Sequence, residues 1–213
     1  MADLEQEPET TPDNAIGVFG EHLDQAEEYA RLLIRDGDLL GLIGPRELPR
    51  LWSRHILNSA VVADLVLPGE TVADVGSGAG LPGIPMAIKM PDTSFVLIEP
   101  MERRANWLAE IVVPALELKN VQVLRARAEE APVDRYQVTT ARAVSALPKL
   151  IRMLAPLTAP GGRILAMKGS KAAAEIEESK SLTKKFGLKN FEIVTVGEKL
   201  LTDPTTVVRI GLL

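Results

Sequence analysis

Beyond residue 70 the chain alternates short apolar runs with stretches long enough to form helices, and this alternation limits its fold more than any other feature. Strands that alternate with helices predict a doubly wound, mostly parallel sheet with helices on both faces. The last two runs are joined by too few residues for a crossover helix, so we expect an antiparallel hairpin there. The predicted class is α/β with a seven-stranded sheet. The predicted strands are Thr71–Val75, Ser94–Glu99, Val121–Ala126, Gln137–Ala141, Arg163–Lys168, Phe191–Val196 and Thr206–Gly211.

The residues before this alternation show no strand pattern and divide into two parts. Residues 1–14 are acidic, contain two prolines and lack apolar periodicity, which predicts a disordered leader. Apolar residues then recur at helical spacing in two stretches, from about Asn14 to Arg35 and from Arg46 to Val66. We therefore predict an N-terminal helical region over 15–69, followed by a ligand-binding domain over 70–213.

Composition excludes several kinds of site. The chain has no cysteine, so it can form no disulfide, thiolate metal centre or cysteine nucleophile, and with two histidines we expect no metal site. No run of about 18 apolar residues and no export signal is evident, so we expect a cytoplasmic protein that does not bind a membrane. The net charge is −5, but the first 30 residues are acidic and hold no Lys or Arg. The rest of the chain is mildly basic, which leaves room for a local basic face.

A glycine-rich stretch, DVGSGAGLPGIP over residues 74–85, directly follows the first predicted strand. It lacks the lysine of a P-loop and the last glycine of the dinucleotide fingerprint. Glycine lets a ligand approach the backbone, and helix-start amides favour an anionic group. Asp74 would repel a pyrophosphate but tolerate an ammonium group. The stretch therefore favours S-adenosylmethionine, with Gly76, Ser77 and Gly78 in the cofactor-binding turn.

Further candidate ligand residues follow the next two strands. Glu99 ends the second strand, 21 residues after Gly78, where an acid binds ribose hydroxyls in related sheets. Ala128 and Glu129 follow the third strand and are placed to line an adenine. Three features at three successive strand ends predict an S-adenosylmethionine site. The competing interpretations are a purely structural strand-to-helix turn and a non-catalytic nucleotide-binding module that uses NAD.

The residue types that the chain lacks limit which acceptor atoms it could methylate. Transfer from a sulfonium is an in-line displacement that needs a nucleophile held about 3 to 3.5 Å from the methyl carbon. Without cysteine the chain cannot activate a pyrimidine ring for C5 methylation, and no (N/D)PPY-type loop for adenine amino groups follows the fourth strand. Oxygen acceptors that need a base remain, as do ring nitrogens with a free lone pair, such as guanine N7.

Six features, in this order, closely resemble a known family: RHILNS, DVGSGAGLPGIP, the acid that ends the second strand, RAEEAP, ARAVSALPKL and LAMKG. The family is the bacterial 16S rRNA guanine-N7 methyltransferases, also called glucose-inhibited division protein B. The resemblance covers roughly residues 15–213 and implies a class I, Rossmann-like methyltransferase. It implies a guanosine of small-subunit rRNA as substrate and Glu99 on the cofactor ribose. The further cofactor contacts that it implies are Gly76, Leu81, Ala128, Glu129 and Arg142.

Five residues are candidates for contact with the RNA, and we expect two of them, Arg142 and Lys168, to act in catalysis. Arg142 ends the fourth strand and is expected to orient the guanine while touching the cofactor; the alternative is a surface salt bridge. Lys168 ends the fifth strand and is expected to hold an RNA phosphate, unless it is simply solvated. Arg50 and Arg54 share a helix face and, with His55, form a candidate phosphate track. The alternatives there are a solvated helix face and a packed histidine.

The sequence thus predicts an enzyme that transfers a methyl group from S-adenosylmethionine to N7 of a guanosine in 16S rRNA. The alternative is a small-molecule methyltransferase of the same fold, which would have a closed lid and no basic face. Because the candidate RNA contacts are few and the protein is net acidic, we expect the substrate to be a 30S particle or an assembly intermediate. We expect the protein to be a monomer.

Overall fold

The computed structural model of the chain describes residues 7–132, 135–142 and 145–213. Each of the seven predicted strands is present, with small shifts at the ends. The largest shift is at the fifth strand, which begins at Thr158 rather than at Arg163. The strands are β1 Thr71–Val75, β2 Ser94–Ile98, β3 Val121–Leu124, β4 Tyr136–Arg142, β5 Thr158–Met167, β6 Leu188–Val196 and β7 Thr205–Leu212.

The strands form one sheet in the order β3-β2-β1-β4-β5-β7-β6. Strands β1 to β5 are parallel, whereas β7 runs antiparallel to both β5 and β6. The strand order reverses between β1 and β4, so the loops that follow these two strands leave a crevice at the carboxyl edge. This arrangement confirms the predicted doubly wound, mostly parallel sheet with a C-terminal antiparallel hairpin.

Helices cover both faces of the sheet, as parallel strands require. Side chains alternate along each strand, so Val72 packs in one hydrophobic core with the N-terminal helices, while Ala73 packs in a second core on the opposite face. Among the described residues no helix is long and apolar enough to cross a membrane. The α-helices are α1 Ala15–Phe19, α2 Leu23–Asp36, α3 Leu57–Ala60, α4 Gly83–Lys89, α5 Glu102–Asn106, α6 Val113–Ala115, α7 Leu147–Leu154, α8 Ala172–Ser179 and α9 Thr183–Phe186.

The second predicted N-terminal helix, from Arg46 to Val66, is helical but irregular. The chain passes from a 3-10 segment at Pro45–Arg50 through a π-helical segment at Leu51–Ile56 into α3 and a further 3-10 segment at Val61–Leu65. Pro49 contributes to the irregularity because it has no N–H to donate to an α-helical ladder. A π-helical turn changes the direction in which its side chains point relative to a regular α-helix.

Glu9 connects the N-terminal leader to this irregular segment. Its Oε2 accepts hydrogen bonds from the backbone N–H of Trp52 at 2.8 Å and of Ser53 at 2.9 Å, and from the Ser53 hydroxyl at 3.1 Å. A carboxylate at this position satisfies N–H groups that have no partner within the helical segment. Glu9 falls within the leader predicted to be disordered, so at least this part of the leader contacts the body. Residues 1–6 lie outside the described residues.

Gly83 lies where α4 begins directly against the sheet. Its N–H donates a 3.0 Å hydrogen bond to Oδ2 of Asp74. A Cβ atom at this position would lie 2.3 Å from Cδ2 of Leu97 and 2.8 Å from Oδ2 of Asp74. Any side chain here would therefore push α4 away from β1 and β2, which carry the two contacted residues.

The substitution Gly83→Ala should destabilise the protein by about 1–3 kcal/mol, the usual cost of overpacking a close-packed site. Urea denaturation would show this as a lower midpoint at an unchanged slope. Gly169→Ala is the matched control, because nothing lies within 4 Å of a Cβ atom at Gly169. Equal midpoints for the two variants would contradict the packing described for Gly83.

Candidate functional site

A cavity of about 690 Å³ opens at the carboxyl ends of β1 to β4. This is the edge at which doubly wound sheets bind ligands, and the volume is typical of small-molecule sites. The structure brings all of the predicted cofactor-binding residues to its walls, although their role in holding a cofactor stays a prediction. They are Gly76, Ser77, Gly78, Leu81, Glu99, Ala128, Glu129 and Arg142.

The glycine-rich loop is fastened to the end of β2 through its backbone. The N–H groups of Gly76 and Ser77 both donate to the carbonyl of Ile98, at 2.8 and 3.2 Å. The Ser77 hydroxyl donates to the carbonyl of Asp74 at 2.9 Å. Ser77 therefore holds the turn together with its side chain, and it presents backbone rather than a reactive hydroxyl to the cavity.

Glu99 joins the loops that follow β1 and β2. Its Oε2 accepts a hydrogen bond from the N–H of Gly78 at 2.8 Å, and its Oε1 accepts one from the N–H of Met101 at 2.9 Å. The side chain is buried, yet Glu99 lines the cavity. Each carboxylate oxygen has a further lone pair, so the fixed carboxylate can still accept two hydroxyl groups from a ligand.

Asp74 lies beneath the glycine-rich loop rather than on the cavity wall. Its Oδ2 accepts the Gly83 N–H, while its Oδ1 is buried and has no hydrogen-bond partner among the described residues. Burial raises the pKa of this carboxyl to about 7, and the nearby charge of Glu99 adds to the effect. Asp74 was expected to tolerate a ligand ammonium; in the structure it supports the loop and the start of α4 and does not line the cavity.

Arg142 connects the end of β4 to the N-terminal helical region. Its Nη1 donates to the His55 carbonyl and the Ser59 hydroxyl, each at 3.1 Å. Its Nη2 donates to the Arg54 carbonyl at 3.1 Å and to the His55 ring at 2.6 Å. The alternative interpretation of Arg142 was a surface arginine in a salt bridge. The four bonds show instead that its guanidinium is held by the N-terminal helical region. Burial lowers the pKa of the Arg142 guanidinium, which nevertheless stays charged at any ordinary pH.

His55 lies between Arg142 and Glu47 and uses both of its ring nitrogens. A guanidinium can only donate, so Nδ1 of His55 must accept from Arg142. The proton therefore lies on Nε2, which donates to Oε2 of Glu47 at 2.7 Å. Burial is the main reason that the pKa of His55 falls to about 4, and the charge of Arg142 lowers it further. The ring is thus neutral near pH 7.

Arg50 and Arg54 lie beside Glu47, which lines the cavity, but neither arginine lines it. The Arg50 side chain is 51% exposed and forms a 3.0 Å ion pair with Oε1 of Glu47. The Arg54 side chain is 54% exposed, and its Nη1 lies 3.7 Å from Oε2 of the same carboxylate. Half-exposed pairs of this kind are weak, so both guanidinium groups can be drawn away by a phosphate. Their contact with RNA stays a prediction.

Lys168 directly follows β5, as predicted, but its side chain makes other contacts than the predicted one to an RNA phosphate. Its side chain is only 10% exposed; Nζ forms a 2.7 Å ion pair with Glu175 and a 2.7 Å hydrogen bond to the carbonyl of Ser145. Glu175 also accepts the N–H of Leu147 at the start of α7. Because this partly buried ion pair satisfies the ammonium and neither residue lines the cavity, the contacts argue against catalysis or phosphate binding by Lys168. The lysine instead fixes the chain between β4 and α7.

Sequence reasoning left several residues of the site unassigned, and they come from distant parts of the chain. Glu47 lines the cavity and had been given no role. Arg104, which the sequence suggests near the ribose end of the cofactor without assigning it there, also lines the cavity and donates to the carbonyl of Gly41 at 2.7 Å. The buried Tyr29 of α2 donates its hydroxyl to the carbonyl of Ala79 in the glycine-rich loop at 2.7 Å. An acid close before the RHILNS stretch was the one local signal available for Glu47. Residues 143 and 144 of the ARAVSALPKL stretch lie outside the described residues.

The raised pKa of Asp74 predicts a pH-dependent stability that Asp74→Asn removes. In the folded protein the pKa is about 7, against an ordinary value of 3.8, so the folded state favours the protonated carboxyl. The stability from this group is complete below the ordinary pKa and is lost as pH rises through about 7. The asparagine amide can still accept the Gly83 N–H and does not titrate.

The unsubstituted protein should lose stability between pH 5 and pH 8, whereas Asp74→Asn should not lose this part of it. The free energy of unfolding of the variant, minus that of the unsubstituted protein, should therefore be larger at pH 8 than at pH 5 by roughly 2–3 kcal/mol. This figure follows from about 1.36 kcal/mol for each pKa unit. Urea denaturation of the ligand-free protein at both pH values measures this difference. Any constant cost of the buried amide cancels, because only the change with pH is compared. A difference that stays the same at both pH values would show that Asp74 is ionised in the folded state.

The family model for rRNA small subunit methyltransferase G, GidB, matches residues 22–203 of this chain. The ribosomal RNA small subunit methyltransferase G of Leifsonia xyli subsp. xyli is 51% identical over 205 residues, covering 94% of this chain and 96% of the relative. The protein of the same name from Paenarthrobacter aurescens is 52% identical over 195 residues, covering 91% of this chain and 89% of the relative.

Solved structures share the fold at much lower identity. The precorrin-6y C5,15-methyltransferase of Geobacter metallireducens matches with a TM-score of 0.53 at 13% identity, covering 73% of this chain and 87% of that chain. M. jannaschii TYW2, solved in complex with AdoMet, matches with a TM-score of 0.56 at 21% identity, covering 72% of each chain. These matches confirm the predicted class I methyltransferase fold. From the family match and the close relatives along nearly its whole length, the chain belongs to the rRNA small subunit methyltransferase G family.

Proposed function

We propose that this protein transfers the methyl group of S-adenosylmethionine to N7 of a guanosine in 16S rRNA. The observation that carries the proposal is the position of Arg142. It lies on the wall of the cavity that the predicted cofactor-binding residues share, and it is bonded to the helical segment that carries Arg54. The curated relatives of the family are named as methyltransferases of small-subunit ribosomal RNA, and this activity is the one that we carry to the chain.

The cofactor would bind across the loops that follow β1, β2 and β3. We assign the ribose hydroxyls to Glu99, whose two oxygens are fixed by backbone N–H groups and retain free lone pairs. Gly76, Gly78 and Leu81 would contact the methionine part of the cofactor along the glycine-rich loop. Ala128 and Glu129, after β3, would lie along the adenine. When bound, the cofactor supplies an electrophilic methyl group on a sulfonium.

The reaction needs a positioned guanine rather than a base. The lone pair of N7 forms the new bond to the methyl carbon while the carbon–sulfur bond breaks and its electron pair stays on sulfur, which becomes a neutral thioether. N7 carries no proton, so none has to be removed, and the positive charge passes to the methylated guanine. His55, which is neutral and has both ring nitrogens occupied, is therefore not needed as a general base.

Arg142 has one donor left for the guanine or the cofactor. Its four Nη N–H groups all donate to acceptors on the 54–59 segment. Its Nε–H has no acceptor among the described residues. A guanidinium N–H can bond to guanine O6, next to the N7 that is to be methylated. We therefore assign Arg142 to orientation of the base in line with the methyl group.

Recognition of the RNA would rest on few protein groups, among which we propose Arg50 and Arg54, the half-exposed cations beside Glu47. We therefore propose that the substrate is a 30S particle or an assembly intermediate, which would supply further contacts. A cytoplasmic location follows from a ribosomal substrate, and we propose that the protein acts as a monomer.

Methyl transfer from labelled S-adenosylmethionine to 30S subunits, purified from cells that lack this protein, tests the proposal. We expect label at a single guanosine of 16S rRNA, with N7 identified by methylation-dependent strand cleavage. Arg142→Ala should lose at least 100-fold in rate, since misplacement of a reactant by about 1 Å can cost as much. Arg152→Ala, at an exposed arginine on α7, should keep the full rate.

Label on small molecules but not on RNA would contradict the proposal and favour the alternative, a small-molecule methyltransferase. If Arg142→Ala transfers methyl groups to the 30S subunits at the full rate, the proposed reaction stands but Arg142 has no role in it.

RNA affinity should depend on salt through Arg50 and Arg54. If each neutralises one phosphate, Arg50→Gln together with Arg54→Gln should weaken RNA binding and make the slope of log K against log salt less negative by about 1 to 2. Binding to 30S subunits at several salt concentrations measures this slope. Arg31→Gln is the control, because Arg31 also forms an exposed ion pair with a glutamate three residues away but lies on α2. If the double variant and the Arg31→Gln control give the same slope, Arg50 and Arg54 do not neutralise phosphates and the phosphate track is excluded.

A further inference from the structure

We propose that His55, held by Glu47, is a positioning residue that fixes the plane of the Arg142 guanidinium, rather than a residue that contacts RNA. The inference rests on the proposed methyl transfer and specifies how its site is held together. It replaces the phosphate-track role that the sequence analysis gave to His55.

Neither ring nitrogen of His55 is free for a ligand. Nδ1 accepts from Nη2 of Arg142 at 2.6 Å, and Nε2 donates to Glu47 at 2.7 Å. The residue is 9% exposed, so only a small part of it borders the cavity. A phosphate or base could bond to this ring only by displacing Arg142 or Glu47. The arrangement therefore favours a role that is exerted through Arg142.

His55 supplies two of the four acceptors that hold the guanidinium. Its carbonyl accepts from Nη1 and its ring accepts from Nη2, so one residue bonds to both outer nitrogens. The other two acceptors are the Arg54 carbonyl and the Ser59 hydroxyl. Bonds to both outer nitrogens prevent rotation of the planar group, and its remaining donor, Nε–H, is then fixed in direction.

Glu47 sets the tautomer that makes this possible. Its carboxylate can only accept, so it keeps the ring proton on Nε2 and leaves the Nδ1 lone pair facing Arg142. The negative charge of Glu47 also acts on Arg142 and opposes the effect of the like-charged Arg54. A carboxylate at this position offsets part of the guanidinium charge near a base that becomes cationic on methylation.

Two substitutions separate the functions of the two ring nitrogens. An asparagine oxygen can take the place of Nδ1, so His55→Asn keeps an acceptor for Arg142 but loses the donor to Glu47. A glutamine amide can take the place of Nε2, so His55→Gln keeps the donor to Glu47 but loses the acceptor. Thermal unfolding of both variants checks that they are folded.

We expect His55→Gln to lower kcat by roughly 10- to 100-fold, the usual effect of removing a partner that orients a functional group. Its affinity for S-adenosylmethionine and its KM for 30S subunits should stay within about twofold, because neither ligand touches the ring. His55→Asn should keep kcat within about fivefold of the unsubstituted protein. An equal loss in both variants, or a raised KM for 30S subunits with kcat unchanged, would overturn the proposal.

A spectroscopic measurement tests the same point without activity. Long-range proton–nitrogen NMR of the protein labelled with ¹⁵N-histidine should show His55 with a proton on Nε2 and none on Nδ1 at pH 7. The Nδ1 resonance should move in Arg142→Lys, and it should not move in Arg152→Lys. A proton on Nδ1 would overturn the proposal even if the enzyme is active. The expected tautomer together with an absence of transfer to any RNA would instead count against the proposed function alone.

Discussion

The contact between Arg142 and the 54–59 segment is the interaction on which the site depends. The sheet and its loops provide one wall of the cavity, and the N-terminal helical region provides the other, through Glu47 and His55. Arg142 is a largely buried cation that joins the two walls, and all four of its bonds go to neutral acceptors. A buried charge without such bonds costs several kcal/mol, so the helical segment and the end of β4 stabilise each other.

Two buried carboxyl groups organise the other side of the cavity, and their surroundings give them different roles. Glu99 accepts a backbone N–H on each oxygen, lines the cavity and is available to ribose hydroxyls. Asp74 has a single N–H partner and an unpaired oxygen beneath the glycine-rich loop, and burial raises its pKa to about 7. Burial, with a smaller effect of the Glu99 charge, therefore disfavours the charged form of Asp74 beneath the loop.

The sequence predicted the fold well and named residues that the structure gathers around one cavity, because both depend on local patterns. Each predicted strand is present, and every predicted cofactor residue ends a strand or lies within six residues after one, so parallel order gathers them at one edge. The errors concern long-range pairing. Lys168 also follows a strand, but its partner Glu175 is in α8, and no local pattern shows that the ammonium turns away from the cavity. Glu47 and Tyr29 reach the site only through tertiary packing of the irregular helical region.

The most direct test of the central claim is the modification state of 16S rRNA in cells. Nucleosides released from 16S rRNA of a strain lacking this chain should be analysed by mass spectrometry, beside strains complemented with the unsubstituted protein or with Arg142→Ala. The account predicts that 7-methylguanosine falls by one residue per 16S molecule, returns with the unsubstituted protein and does not return with the variant. An unchanged 7-methylguanosine content in the strain without the protein would contradict it.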